Sequence, residues 1–262
     1  MDDADFRQLV REHIATQSVL DLTDKKVHVS SFIELKHREC LRIKGGEITG
    51  SGHSIFKLTS AKNMTDCSLV LDGTRLVHLT ESEDIRQIGA CIFLMGRVKA
   101  MLCNCTLISI SGFGVWAKHD CNVHLTNCDI IGNHASYCIS GRTGIACFNY
   151  SKVTLKRCKV SGFSKHGICV RGSCNVKLVE VLICDCLKRG IYVYQNARMS
   201  MEGCTVKCIG GVEAIAAVEV NGIDTCVYFR AEDCLCVDNS CPDILVIGNV
   251  LGGMFTNSFN PN

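Results

Sequence analysis

The side chains of this 262-residue chain that could do chemistry are its carboxylates, histidines and cysteines, together with a set of aromatic and cationic residues. Spacing decides what each could do. Glycoside hydrolysis needs two carboxyl groups facing one cleft, about 5 to 9.5 Å apart. The acids Asp120, Asp129, Glu180, Asp185, Glu202, Glu213 and Glu219 are scattered. Only Glu180 and Glu202 recur at nearly equivalent positions, which reads more simply as a solvated pair. His119, His124, His134 and His166 lack metal-ligand spacing and read as surface or turn residues. Among the twenty cysteines no C-x2-C pair occurs, and Cys204 and Cys208 fit a wider spacing. Structural zinc favours such pairs. No catalytic residue, metal or cofactor is therefore expected, and the thiols read as reduced, small, buried apolar groups.

Binding chemistry is better represented. Trp116, Lys118, Phe148, Arg171, Tyr192 and Tyr194 fall at alternate positions after successive glycines. On strands they would all point outward, forming an exposed aromatic and cationic stripe of the kind that marks a contact surface. The expected function is a non-catalytic binding scaffold, with a protein partner. The second reading is a carbohydrate-active enzyme, a polysaccharide lyase or glycoside hydrolase, acting on an acidic polysaccharide. Carbohydrate is thus a possible ligand.

A repeat must position these residues. Gly114-Val-Trp-Ala, Gly144-Ile-Ala-Cys, Gly167-Ile-Cys-Val, Gly190-Ile-Tyr-Val and Ala214-Ile-Ala-Ala each open a unit. All but the last are followed by a second strand, as in Val123-His-Leu-Thr-Asn-Cys and Val153-Thr-Leu-Lys-Arg-Cys. Within a unit the apolar residues alternate, which is the period of strands. A short fixed repeat of three strands, punctuated by turn residues, winds once around a parallel β-helix whose equivalent residues form ladders. The inward ladders read Val115, Ile145, Ile168, Ile191, Ile215; Leu125, Leu155, Leu178, Met201; and Cys128, Cys158, Val181, Cys204. Extra residues around 136–142 read as a loop inserted at a corner. Cys105-Thr-Leu-Ile and Cys67-Ser-Leu-Val fit the third strand of earlier, degenerate units. Phe6, Leu9, Val10 and Ile14 recur at helical spacing behind acidic residues, so a helix caps the open end. The expected fold is all-β, a right-handed single-stranded parallel β-helix with an N-terminal capping helix. It forms one domain: cap 1–26, coils 27–248, and a loose tail 249–262.

Composition narrows the partners. The net charge of +2 does not call for nucleic acid. The local cluster Lys152, Lys156, Arg157, Lys159, Lys165 and Arg171 reads as a solvated face. No apolar run reaches the roughly 20 residues of a membrane span, so no membrane contact is expected. Met1-Asp-Asp-Ala-Asp lacks the basic start of a signal peptide, which points to an intracellular location, cytoplasmic or nuclear.

The Gly-Ile-x-Val unit followed by Val-x-Leu-x-x-Cys resembles the right-handed β-helix repeats of the pectate-lyase-like superfamily. Within it, the likeness is to the carbohydrate-binding and sugar-hydrolase type repeats of intracellular eukaryotic proteins. The resemblance covers about 27 to 240. It implies the fold and leaves the activity open, because the superfamily includes polysaccharide-cleaving enzymes and proteins that only bind. The Arg-x-Pro-x-x-Arg motif of its lyases is absent around Pro242 and Pro261. Thr65-Asp66, Gly52-His53-Ser54 and Arg42-Ile43-Lys44 echo hydrolase motifs, but in the wrong order.

Overall fold

In Asn175–Val179 the side chains of Val176 and Leu178 are buried, while Asn175 and Lys177 are exposed. This is the two-residue period of a strand with one face on a core. The computed structural model describes residues 1–60, 67–79, 89–133, 143–252 and 255–256. His134, Thr65-Asp66 and the loop expected at 136–142 lie outside them. Each strand pairs in parallel with its counterpart one turn further along the chain: Leu155 lies beside Leu178, and Leu178 beside Met201. The result is the expected parallel β-solenoid, with three strands to a turn. One ladder stacks nine strands, so the described coil makes about eight turns from first to last. The other two ladders are joined into one sheet because Ala216–Glu232 runs unbroken around a corner. Its first part pairs with Arg189–Tyr194 and its last part with Arg198–Glu202.

The corners explain the spacing of the cysteines. Asn104, Asn127, Arg157, Glu180 and Asp233 occupy equivalent corner positions with φ of 54°, 53°, 51°, 54° and 50°. Asn and Asp tolerate this left-handed conformation best. Arg157 and Glu180 are held in it by the next turn, their amides donating to the carbonyl oxygens of Val179 and Glu202 at 2.9 Å each. The side chains also stack, Asn127 Nδ2 donating to Asn104 Oδ1 at 3.2 Å. The residue after each corner turns inward, so Cys105, Cys128, Cys158, Val181, Cys204 and Cys234 are all buried. The described cysteines are free thiols. Cys67 departs from the expected assignment: it pairs with Val98, in a different ladder. The third strand of its turn is Arg75–His78, with Leu76 beside Leu107. Cys-x-Leu-Val and Cys-x-Leu-Ile look alike in sequence, and only pairing separates them.

The repeated glycine is a close-packing requirement. A Cβ on Gly167 would lie 2.6 Å from Ile183 Cγ2 and 2.7 Å from the carbonyl oxygen of Gly190 on the next turn. This contact also corrects the register at the last unit. Val218 pairs with Ile191 and Glu219 with Tyr192, so the counterpart of Gly190 is Ala217, not Ala214. The step from Gly190 to Ala217 is four residues longer than that from Gly167 to Gly190, and alternation alone cannot reveal that. Val218 therefore replaces Ile215 in the inward ladder, and Glu219 and Asn221 stand beside Tyr192 and Tyr194.

The helix Asp3–Thr16 covers the first turn, with Phe6 and Val10 buried and Leu9 and Ile14 packed against the same core. Asp2 caps it by accepting from the Asp5 amide at 2.8 Å. Arg7 ties it to the coil by donating to the carbonyl oxygen of Ser31 at 2.6 Å. The ladders extend past both expected boundaries. Val19–Asp21 already pairs with Cys40–Lys44, ahead of residue 27. At the other end, Ile244–Leu251 pairs with Ala216–Glu232, and Phe255–Thr256 with its Ala231 and Glu232, inside the stretch read as a loose tail. Deleting residues 1–16 would bare the apolar first turn and its strand edges. The truncated chain is expected to keep β-type circular dichroism but to associate in size-exclusion chromatography. An unchanged monomer of unchanged melting temperature would show that the helix is no cap.

Candidate functional site

Two outward ladders cross the sheet that carries the glycines. One runs Phe93, Trp116, Ala146, Cys169, Tyr192, Glu219; the other runs Met95, Lys118, Phe148, Arg171, Tyr194, Asn221. All six expected residues thus lie on one face of one sheet, with neighbouring strands about 4.8 Å apart. Their exposure differs from expectation. Only Arg171 is fully exposed; Trp116, Lys118, Phe148, Tyr192 and Tyr194 are half-buried. Large rings on a flat sheet lean together and bury one another. Lys118 Nζ sits 4.1 Å over the Trp116 ring, and Phe113 packs 4.7 Å from it. Tyr192 and Tyr194 stack at 4.3 Å, with Arg189 4.4 Å over Tyr192 and Arg171 5.7 Å over Tyr194. Trp116, Tyr192 and Tyr194 are therefore each paired with a cation.

At the upper end of this face a cleft of about 350 Å³ opens beside the two tyrosines, lined also by Phe148, His166, Lys165, Lys188 and Arg189. Arg189 Nε donates to Glu219 Oε2 at 2.5 Å, and both residues are buried. His166 is 4% exposed, and its Nδ1 has no hydrogen-bond partner among the described residues. Burial first, then the charges of Arg189, Lys165 and Lys188, hold the imidazole pKa well below its ordinary value. Burial pushes the Cys169 thiol and the Tyr194 phenol each up to about 12. Near neutral pH the cleft accordingly contains a neutral imidazole, neutral phenols and thiol, and cations. The described residues lining it include no carboxylate. The acid pair singled out in the sequence does not assemble either: Glu202 pairs with Val179, while Glu180 is a corner residue.

The cleft joins Phe148, Tyr192 and Tyr194 of the expected set; Trp116, Lys118 and Arg171 continue along the same face. Sequence reasoning missed His166, Arg189 and Glu219. The first two share a signal, since each immediately precedes a repeat glycine, Gly167 or Gly190, and the two pair across the ladder. Glu219 was hidden by the register slip.

The buried imidazole sets an acid limit on stability. His166 and His78 are both depressed in the fold, His78 mainly by burial. As pH falls below the unfolded value of about 6.5, the unfolded chain takes up protons first, so stability is full above that pH and lost below it, by up to about 1.4 kcal/mol per pH unit per group. Melting temperature is expected to fall between pH 6.5 and 5, and His166→Gln to flatten the slope. Identical slopes in calorimetry would contradict this.

With the coil and its face described, the class follows. The chain belongs to the right-handed β-helix family, whose description, "Right handed beta helix region", matches residues 67–251. No curated protein matches the sequence. Among solved structures it is similar to the Dettilon tailspike protein, with 10% identity and a TM-score of 0.47 over 92% of this chain. The chain spans 58% of that tailspike. It is also similar to the A-module of the Azotobacter vinelandii mannuronan C-5 epimerase AlgE6, with 13% identity and a TM-score of 0.43, covering 98% of this chain and 97% of the module. At these identities the likeness is one of fold alone.

Proposed function

We propose that this chain is a non-catalytic binding scaffold that receives a protein partner on the sheet face running from Trp116 to Tyr194. The observation that carries this reading is the stacked row of aromatic and cationic side chains on adjacent strands. Its rings and guanidinium groups are already held by one another, so little rotamer freedom remains to be lost on contact. Aromatic and arginine anchors of this kind dominate interface energetics. The test is affinity capture from native lysate followed by cross-linking, beside a glycan array. A partner cross-linked to this face, retained by the native chain and lost by Arg171→Glu with Lys118→Glu, is the expected result. Glycan binding without a protein partner would overturn it.

A carbohydrate-active enzyme is the second reading, and the cationic cleft favours it by placing His166 beside groups suited to an acidic polysaccharide. It requires turnover of such a chain, and that turnover should disappear in His166→Gln.

A further inference from the structure

We propose that the cleft between His166 and Arg189 is a carboxylate-binding site, taking an acidic side chain of the protein partner together with a proton on His166. This rests on the scaffold reading and adds the chemistry of the contact.

The first observation is the imidazole. His166 lines the cleft and is 4% exposed; among the described residues its buried Nδ1 makes no well-formed hydrogen bond, and the backbone of Lys165 is the polar group beside the ring. A buried polar atom left unpaired is costly, and a ligand acceptor would complete it.

The second observation is charge. Lys165 and Cys169 face His166 from its own strand and the approach to it; Lys188, Arg189 and Tyr192 face it from the next strand, and Thr143 from the previous one. Behind them Glu219 is taken by Arg189, and exposed Glu213 meets Lys188 at 3.1 Å. Among the described residues, three cations stand against two carboxylates, which makes the cleft positive. Glu213 shows that a carboxylate can be held at Lys188, and being exposed it can be displaced. Burial and these cations hold the His166 imidazole well below its ordinary pKa. An entering anion offsets the cations and gives the ring an acceptor, so protonation accompanies binding.

The third observation selects a side chain over a sugar. Sugar recognition by stacking needs an unoccupied ring face, but Tyr192 already carries Arg189 over its ring and Tyr194 stacked against it. The remaining walls include Phe113, Phe148 and Ile215, which suit an apolar residue flanking the acid.

The experiment is isothermal titration of the full chain with a blocked Phe-Glu-Phe-Glu peptide, its glutamine counterpart, and tetragalacturonate, in two buffers of different ionisation heat. The glutamate peptide should bind with about one proton taken up, tightening by up to about tenfold per pH unit from pH 7.5 to 6.5, where its own carboxylates stay ionised. His166→Gln should abolish that pH dependence while still binding the peptide at pH 7.5. Lys165→Ala with Lys188→Ala should weaken binding about tenfold, as loss of charge-assisted contacts does. No binding, equal binding of the glutamine peptide, a flat pH profile in the native chain, or preference for tetragalacturonate would each overturn the site. A lysate partner indifferent to the Lys165→Ala and Lys188→Ala pair would leave the scaffold standing without this site. A chain with no partner but intact peptide binding would overturn the scaffold alone.

Discussion

Leu178→Asp is expected to abolish the cooperative melt of this protein, whereas Lys177→Asp should leave it within about 0.5 kcal/mol of the native chain, the range of ordinary surface changes. Leu178 is fully buried, between Leu155 and Met201 in an inward ladder. An aspartate there would be flanked by apolar side chains, and burying an unpaired polar or charged group costs several kcal/mol. Whole domains have only about 5 to 15 kcal/mol of stability. In a solenoid each turn supports its neighbours, so damage to a central turn spreads in both directions. Lys177 is one residue away, exposed, and paired with Thr154 and Ser200. Thermal denaturation followed by circular dichroism separates the two variants. Equal melts would mean that the inward and outward faces are misassigned.

Arg189→Met should destabilise the fold by about 3 to 5 kcal/mol, and Arg189→Met combined with Glu219→Leu should restore most of that loss. Arg189 and Glu219 are 9% and 3% exposed, and they meet at 2.5 Å. Removing the guanidinium alone strands a buried carboxylate. Removing both leaves two apolar side chains of similar volume in a region already walled by Ile215 and Tyr192. Chemical denaturation of the two variants provides the measurement. A harmless single substitution would show that the pair is solvated, and a double variant as weak as the single would show that packing sets the cost.

Much of this architecture is legible in the residues themselves. Val176 and Leu178, or Val153 and Leu155, alternate with polar neighbours, and that period exists only for a strand with one buried face. Repeating it after each glycine calls for a coil, since one such unit cannot cover its own apolar face. The Asn-Cys and Arg-Cys steps mark corners because a left-handed residue there turns the next side chain inward. Phe6 and Val10 announce the cap by helical spacing.

The site was less legible, and for definite reasons. The six stripe residues were placed correctly on one sheet face, because alternation determines which way a side chain points. Their exposure was not, because ring stacking depends on neighbours across strands. His166 read as a turn residue, since nothing local shows that Arg189 lies beside it on the next turn.

The winding, the inward ladders up to Ile191 and Met201, and the capping helix can be read from the residues, because they follow from periods within a few tens of residues. Tertiary structure alone decided that Glu219 meets Arg189 across thirty residues and that Cys67 leaves the corner ladder. The first depends on the length of a turn, which shifts pairing between coils without altering the alternation inside either one; the second depends on which strand lies alongside, which look-alike motifs do not reveal.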